Sequence, residues 1–212
     1  MQSRKKSPRF RRETPEKRRA DLVQAAIRCL SEGGMSAFKL ERIAAEAGVS
    51  LGLLPHYFTS KDALLAEVYR AALYDDVMGK IAELGDRHAL GTPAERLCRI
   101  VDAIIDPGYL KPANLTVWLA LWGEIVVNPA LRRAHRTLYR TYVGALARLI
   151  ARVAADRRRT VDATEVARNF QALVDGLFLE RALDRHAVAH ADFRRAGYGF
   201  LELHLGTLLI AA

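Results

Sequence analysis

The sequence has few of the features on which secreted or membrane proteins depend. It contains two cysteines, Cys29 and Cys98, each inside an apolar helical pattern, so we expect no disulfide framework and a reducing, cytoplasmic location. No uninterrupted apolar run approaches the ~20 residues that span a bilayer, and the basic start lacks the apolar stretch of a secretion signal. These absences predict a soluble protein without a membrane partner.

Motifs for catalysis, metal binding and cofactor binding are also missing. We find no nucleophile motif, no glycine-rich phosphate loop after a strand and no metal-spaced His/Cys cluster. Five histidines are scattered without a paired carboxylate pattern, as expected of solvated or packed side chains: His88, His135, His186, His190 and His204. The sequence therefore predicts no cofactor and no enzyme, with a helical enzyme as a distant alternative.

What the sequence does contain is a strong positive charge near its start. The formal net charge of the 212 residues is +9, and residues 1–19 hold nine Lys or Arg against two Glu. Such a segment favours a polyanionic partner such as nucleic acid, although on charge alone a solvated tail is an equal alternative. We expect residues 1–13 to form a disordered basic arm.

Helix-period patterning dominates the chain, and we find no convincing strand alternation or internal repeat. The predicted fold class is therefore all-α, with about nine helices. Capping residues and prolines divide the pattern into helices at about 15–32, 40–47, 61–84, 93–105, 112–127, 129–154, 163–184 and 190–209, with a further short one after Ser50. The helix at 61–84 is long enough to bridge two domains.

The segment 40–58 has the pattern of a helix-turn-helix. Ile43 and Ala44 face the core, Gly48 allows the turn, Val49 fills the corner, and Ser50 is placed to cap the recognition helix. Here the chain closely resembles the TetR family of bacterial regulators, whose pattern runs Ile-Ala-x-x-Ala-Gly-Val-Ser-x-Gly and then Tyr-Phe-x-x-Lys-x-x-Leu-Leu. The resemblance implies a TetR-like fold, with a DNA-binding domain at 14–60 and an effector-binding and dimerisation domain at 61–212.

The resemblance also implies which side chains contact double-stranded DNA. Ser50, Leu51 and Leu53 are placed near base edges, and Lys39, His56, Tyr57 and Lys61 near phosphates. The chain departs from the family pattern at two positions. Lys39 stands where Thr or Ser commonly caps the second helix, and Pro55 deletes a backbone donor late in the recognition helix. We therefore expect its last turn to be distorted.

The second half resembles the BetI-type branch of the family in three segments, 118–122, 128–131 and 173–178. Trp118 and Trp122 share one helix face, where core packing is the alternative to lining a cavity. The predicted effector pocket combines aromatic side chains with Asp175 or Glu124 as a polar anchor, although Asp175 is as well explained by hydrogen bonds to its neighbours. The aromatic set is Tyr109, Trp118, Trp122, Tyr142, Phe170 and Phe178. Such a pocket suits a cationic or amphipathic small molecule, with choline-like compounds as candidates.

The last two helices carry an apolar stripe that exceeds what one small domain can cover: Val166, Phe170, Leu173, Leu177, Tyr198, Leu201, Leu205 and Leu208. We expect a homodimer through these helices, whose twofold symmetry would match a palindromic operator. The predicted function is a ligand-responsive transcriptional regulator, most simply a repressor that a small molecule releases from DNA. The alternative is a non-specific DNA-binding protein that uses the basic arm.

Overall fold

The protein is described by a computed structural model that covers residues 14–73, 75–85 and 90–208. Within these segments it consists of nine α-helices and three short 3-10 helices, without strands, which confirms the all-α class. The predicted basic arm at residues 1–13 lies outside the described residues. None of the helices in the described segments is both long and apolar enough to cross a membrane.

Most helix boundaries follow the predicted capping residues. Backbone N–H groups donate to the side chains that open α1, α5, α7 and α8, namely Thr14, Thr92, Asn128 and Asp162. The helices are α1 (Pro15–Gly33), α2 (Leu40–Glu46), α3 (Lys61–Leu73), α4 (Asp75–Gly85), α5 (Pro93–Ile104), α6 (Pro112–Val127), α7 (Pro129–Asp156), α8 (Ala163–Leu183) and α9 (His190–Leu205). The 3-10 helices are Gly34–Ala37, Leu51–His56 and Pro107–Leu110.

The bridging helix predicted at 61–84 is described as α3 and α4, on either side of residue 74, which lies outside the described residues. The last predicted helix is wrong in extent. α9 ends at Leu205 rather than 209, because Gly206 adopts a φ of +78° that terminates the helix.

Two hydrophobic cores organise the fold. The N-terminal core gathers the buried faces of α1, α2 and α3, together with Val117 and Leu121 of α6. The C-terminal core gathers side chains from α4, α5, α7, α8 and α9. Trp118 of α6 packs against both cores, and Leu73 at the end of α3 packs against the N-terminal one. α6 therefore lies at the seam between the two cores.

The apolar stripe predicted for the dimer interface is mostly buried inside the protomer, so that expectation is wrong for these side chains. Six of its eight members belong to the C-terminal core: Val166, Phe170, Tyr198, Leu201, Leu205 and Leu208. They are covered because α8 packs along α7 and α9, and α9 also packs against α5 and α7. The large apolar side chains that α8 and α9 expose are Leu179, Leu183 and Leu203.

Candidate functional site

The helix-turn-helix corner forms where the sequence predicts it. α2 ends at Glu46, and Gly48 adopts a φ of +66°, a left-handed conformation that other residues rarely take. The Val49 N–H donates to the Ala44 carbonyl at 2.9 Å, and the Val49 side chain packs half-buried against the N-terminal core. The turn between the two elements is thus fixed by one glycine and one apolar plug.

The element after the turn is a 3-10 helix, Leu51–His56, and not a regular α-helix. The Leu53 N–H donates to the Ser50 carbonyl at 3.0 Å, the three-residue spacing of a 3-10 helix. Pro55 has no N–H and so cannot make the four-residue bond that an α-helix needs there. Ser50 occupies the N-cap position, but its side chain makes no capping hydrogen bond, contrary to prediction. We call residues 51–56 the reading element.

The side chains predicted to contact DNA lie on or beside the reading element. Five of them are exposed, namely Lys39, Ser50, Leu51, His56 and Lys61, while Leu53 and Tyr57 are half-buried. Leu51 is 44% exposed, and an apolar side chain at that position suits contact with a thymine methyl group. Lys39 makes no side-chain cap on α2, and the Lys61 ammonium lies 5.5 Å from the Phe38 ring centroid.

Arg19 contacts the residue directly after the reading element, a role that its count among the cations of the basic segment did not predict. Its Nε donates to Glu67 Oε2 of α3 at 2.9 Å, and its Nη1 donates to the Tyr57 carbonyl. Its guanidinium also lies 4.5 Å from the Phe58 ring centroid. One side chain therefore connects α1, the residue that follows the reading element, and α3.

A cavity of about 70 Å³ lies where α3, α5, α6, α7 and α8 meet. Six of the seven predicted pocket residues line it: Tyr109, Trp118, Trp122, Tyr142, Asp175 and Phe178. The seventh, Phe170, does not, because it is fully buried in the C-terminal core beside Gly197. Five further lining residues were not predicted: Leu73, Ile104, His135, Tyr139 and Gln171.

Asp175 is the acidic group of this cavity. Burial raises the pKa of its carboxyl from an ordinary 3.8 to about 6, although Gln171 Nε2 opposes that shift by donating to Asp175 Oδ1 at 2.6 Å. No ion pair reaches Asp175 from a Lys or Arg in the described segments. Glu124, the alternative anchor, lies outside the cavity lining and accepts a hydrogen bond from Asn128 Nδ2 at 3.4 Å.

Aromatic rings form much of the cavity wall. The Trp118 ring centroid lies 6.0 Å from that of Tyr109, 6.2 Å from that of Trp122 and 4.4 Å from that of Phe178, which it meets edge to face. The sequence could suggest this cluster because Trp118 and Trp122 are one helical turn apart. Rings arranged around a carboxylate can hold an organic cation by cation–π attraction and by charge.

His135 connects the cavity to α3. Its Nδ1 lies 2.6 Å from the hydroxyl oxygen of Tyr69, and its ring centroid lies 5.4 Å from that of Tyr139. Burial lowers the pKa of His135 below 6.5, so the ring is neutral near pH 7 and shares one hydrogen bond with the Tyr69 hydroxyl through Nδ1. A signal for this residue was available, since His135, Tyr139 and Tyr142 recur at helical spacing along α7.

These two sites define the class of the protein. The exposed reading element precedes α3 in the chain, and the last residue of α3, Leu73, lines the cavity. An exposed reading element linked in this way to a cavity is typical of a ligand-responsive, DNA-binding transcriptional regulator. Comparison with known families agrees, because residues 22–68 match the family described as bacterial regulatory proteins, tetR family. Residues 93–206, more than half of the chain, match the C-terminal domain of BetI-type transcriptional repressors. The chain therefore belongs to the TetR family and carries a BetI-type C-terminal domain.

Known relatives are similar over most of the chain. The HTH-type transcriptional regulator BetI of Pseudomonas aeruginosa is 32% identical over 192 residues, which are 89% of this chain and 93% of that protein. A solved transcriptional regulator from P. aeruginosa PAO1 is 31% identical with a TM-score of 0.78, over 92% of this chain and 93% of that one. Another, from Saccharomonospora viridis in complex with choline, is 27% identical with a TM-score of 0.73, over 88% and 96%. None of these relatives supports the enzyme or DNA-coating alternatives.

Proposed function

We propose that the protein is a homodimeric repressor that leaves a palindromic operator when a small organic cation occupies the cavity. A choline-like quaternary ammonium is the effector class that best suits the cavity. The observation that carries the proposal is Asp175, an acid enclosed among aromatic rings with no cationic partner in the described residues. Since DNA is the partner, the protein acts in the cytoplasm.

Charge and hydrogen bonding both favour such a ligand. A carboxyl with a pKa of about 6 is mostly ionised near pH 7, and a buried anion without a cationic partner is costly, so a bound cation relieves that cost. Gln171 Oε1 is buried without a hydrogen-bond partner in the described residues, and a hydroxyl on the effector can donate to it. The choline complex of the S. viridis relative supports the same ligand class.

In this proposal the DNA-binding unit comprises α1, α2, the reading element and α3. α3 is included because it buries Leu64, Leu65 and Val68 in the N-terminal core. α4 to α9 form the effector-binding and dimerisation unit. Base edges are read from Ser50, Leu51 and Leu53, and the phosphates are contacted by Lys39, His56, Tyr57 and Lys61.

The dimer interface in this proposal is the exposed face of α8 and α9. Leu179 and Leu183 lie on one stripe of α8 with the small residues Ala172 and Gly176, at successive spacings of four, three and four. On α9, Leu203 is 79% exposed and follows Gly199 by one turn. Small residues allow the helices of two copies to approach closely, so that a four-helix contact buries the leucines.

The proposal is tested by titrating the protein with choline while recording tryptophan fluorescence, because both tryptophans of the chain line the cavity. The comparison ligand is the neutral analogue of choline in which carbon replaces nitrogen, which keeps the shape and removes the charge. Choline should bind at least about tenfold more tightly, a difference of 1.4 kcal/mol. In the Asp175→Asn variant this preference should shrink. Equal affinity for both compounds in the parent protein would exclude a cation effector.

A second experiment tests DNA binding, by using the full-length protein to select duplexes from a random pool. A palindrome with half-sites about 34 Å apart is expected, because a twofold dimer presents two reading elements to successive major grooves. Choline added to the complex should then release the selected duplex. Enrichment of no sequence, with uniform salt-sensitive binding, would instead indicate a DNA-coating protein.

A further inference from the structure

We infer that the Tyr69–His135 hydrogen bond is the link through which an effector in the cavity moves the reading element. The inference deepens the proposed function and rests on it, because it names the side chains that couple the two sites. It adds a positioning role for Tyr69, which lines neither the cavity nor the DNA-facing surface.

α3 spans the distance between the two sites. It begins at Lys61, a predicted phosphate contact, and ends at Leu73, which lines the cavity. Its 13 residues make a rod of about 20 Å. Tyr69 lies one turn before Leu73 and is fully buried. A displacement of Tyr69 therefore moves the helix that carries the DNA-contacting end.

His135 is the cavity-side half of the link. It lines the cavity from α7, and its ring packs against Tyr139, another lining residue. An effector in the cavity contacts the wall that His135 and Tyr139 form, so its binding changes the position that the His135 ring prefers. When His135 moves, the buried Tyr69 hydroxyl either follows it or loses the hydrogen bond between them.

Two further contacts carry the movement from α3 to the reading element. Glu67, two residues before Tyr69, accepts a hydrogen bond from Arg19 Nε at 2.9 Å. The same guanidinium donates to the Tyr57 carbonyl, directly after the reading element. A shift of α3 is therefore passed by polar contacts to the backbone beside the DNA-facing side chains.

The test measures the coupling between the two sites in the full-length protein. The choline affinity is determined by tryptophan fluorescence without and with the selected duplex, and the ratio of the two affinities is the coupling. In the parent protein a ratio of about 5 to 150 is expected. Tyr69→Phe, which removes one hydroxyl, should bring the ratio close to one while DNA alone still binds.

Tyr198→Phe is the matched control. Tyr198 is also a buried tyrosine whose hydroxyl is hydrogen-bonded, to Asp102 Oδ1 and the Cys98 carbonyl, but it contacts neither α3 nor the cavity. This variant should keep the parent ratio. His135→Gln, whose amide oxygen can accept the Tyr69 proton, should retain more of the ratio than His135→Leu.

A second readout needs no effector. Binding of the selected duplex to the parent should change the tryptophan fluorescence of the empty cavity through the same link, and in Tyr69→Phe that change should be lost. An unchanged ratio or an unchanged DNA-induced signal in Tyr69→Phe overturns the link and leaves the proposed function intact. Loss of the ratio in Tyr198→Phe as well would also overturn it, because the effect would then be general. A parent that binds no duplex overturns the proposed function and this inference together.

Discussion

Asp175→Asn should make the ligand-free protein more stable, even though it removes the proposed anchor of the effector. The pKa of the Asp175 carboxyl is about 6 in the folded protein, against 3.8 ordinarily. A difference of about two pKa units corresponds to up to about 3 kcal/mol of unfolding free energy. Since the Asp175 carboxyl holds its proton more tightly in the folded state, the unfolding free energy of the parent falls as the pH rises from about 4 to 6. Above pH 6 it stays lower by the full amount.

The assay is denaturant unfolding of the parent and Asp175→Asn at about pH 8 and about pH 4, which bracket the two pKa values. Asparagine can still accept the hydrogen bond from Gln171, so the substitution mainly removes the charge. The variant should be more stable by up to about 3 kcal/mol at the higher pH and nearly equal at the lower one. Glu180→Gln, an exposed acid on the same helix, should show no such difference. A variant that is less stable than the parent at the higher pH would refute the reasoning.

Three other substitutions test the remaining contacts. Arg19→Ala should weaken binding of the selected duplex by about tenfold, or 1.4 kcal/mol, because the Tyr57 carbonyl beside the reading element loses its donor. Gel-shift titration measures this affinity, and binding equal to that of the parent would contradict the prediction. Lys61→Ala should flatten the salt dependence of DNA affinity by about one unit, whereas an unchanged slope would remove Lys61 from the interface. Leu203→Glu should dissociate the dimer in sedimentation experiments, while Val127→Glu, similarly exposed on α6, should leave it intact. If both variants stay dimeric, the interface lies elsewhere.

The parts of the fold that could be predicted are those whose determining residues lie close together in the sequence. Four helix starts could be predicted because the side chain before each helix accepts hydrogen bonds from backbone N–H groups in its first turn. These side chains are Thr14, Thr92, Asn128 and Asp162. The helix-turn-helix is equally local, since Gly48 and the plug beside it are close in sequence.

The candidate site also contains residues that could be predicted from nearby sequence and residues that could not. Trp118 and Trp122 could be placed in a cavity because their spacing puts them on one face, and Asp175 because an acid is unusual in an apolar helix. The spacing of His135 from Tyr139 and Tyr142 could also have placed it on the cavity face, but its bond to Tyr69 could not be predicted, and neither could the role of Arg19, because these partners lie far away in sequence. The buried stripe on α8 and α9 was misassigned for a related reason. Apolar periodicity shows that a face is covered but not whether a neighbouring helix or a second copy covers it.

The position of the cavity at the seam between two cores constrains how its ligand preference can evolve. Leu73 and Trp118 serve both ligand contact and the packing of the N-terminal core, so a substitution there changes the stability of the DNA-binding unit as well. Tyr109, Asp175 and Phe178 line the cavity without belonging to that core. Drift toward new effectors should therefore accumulate at these three positions, while the two seam residues stay fixed among descendants that retain the same operator.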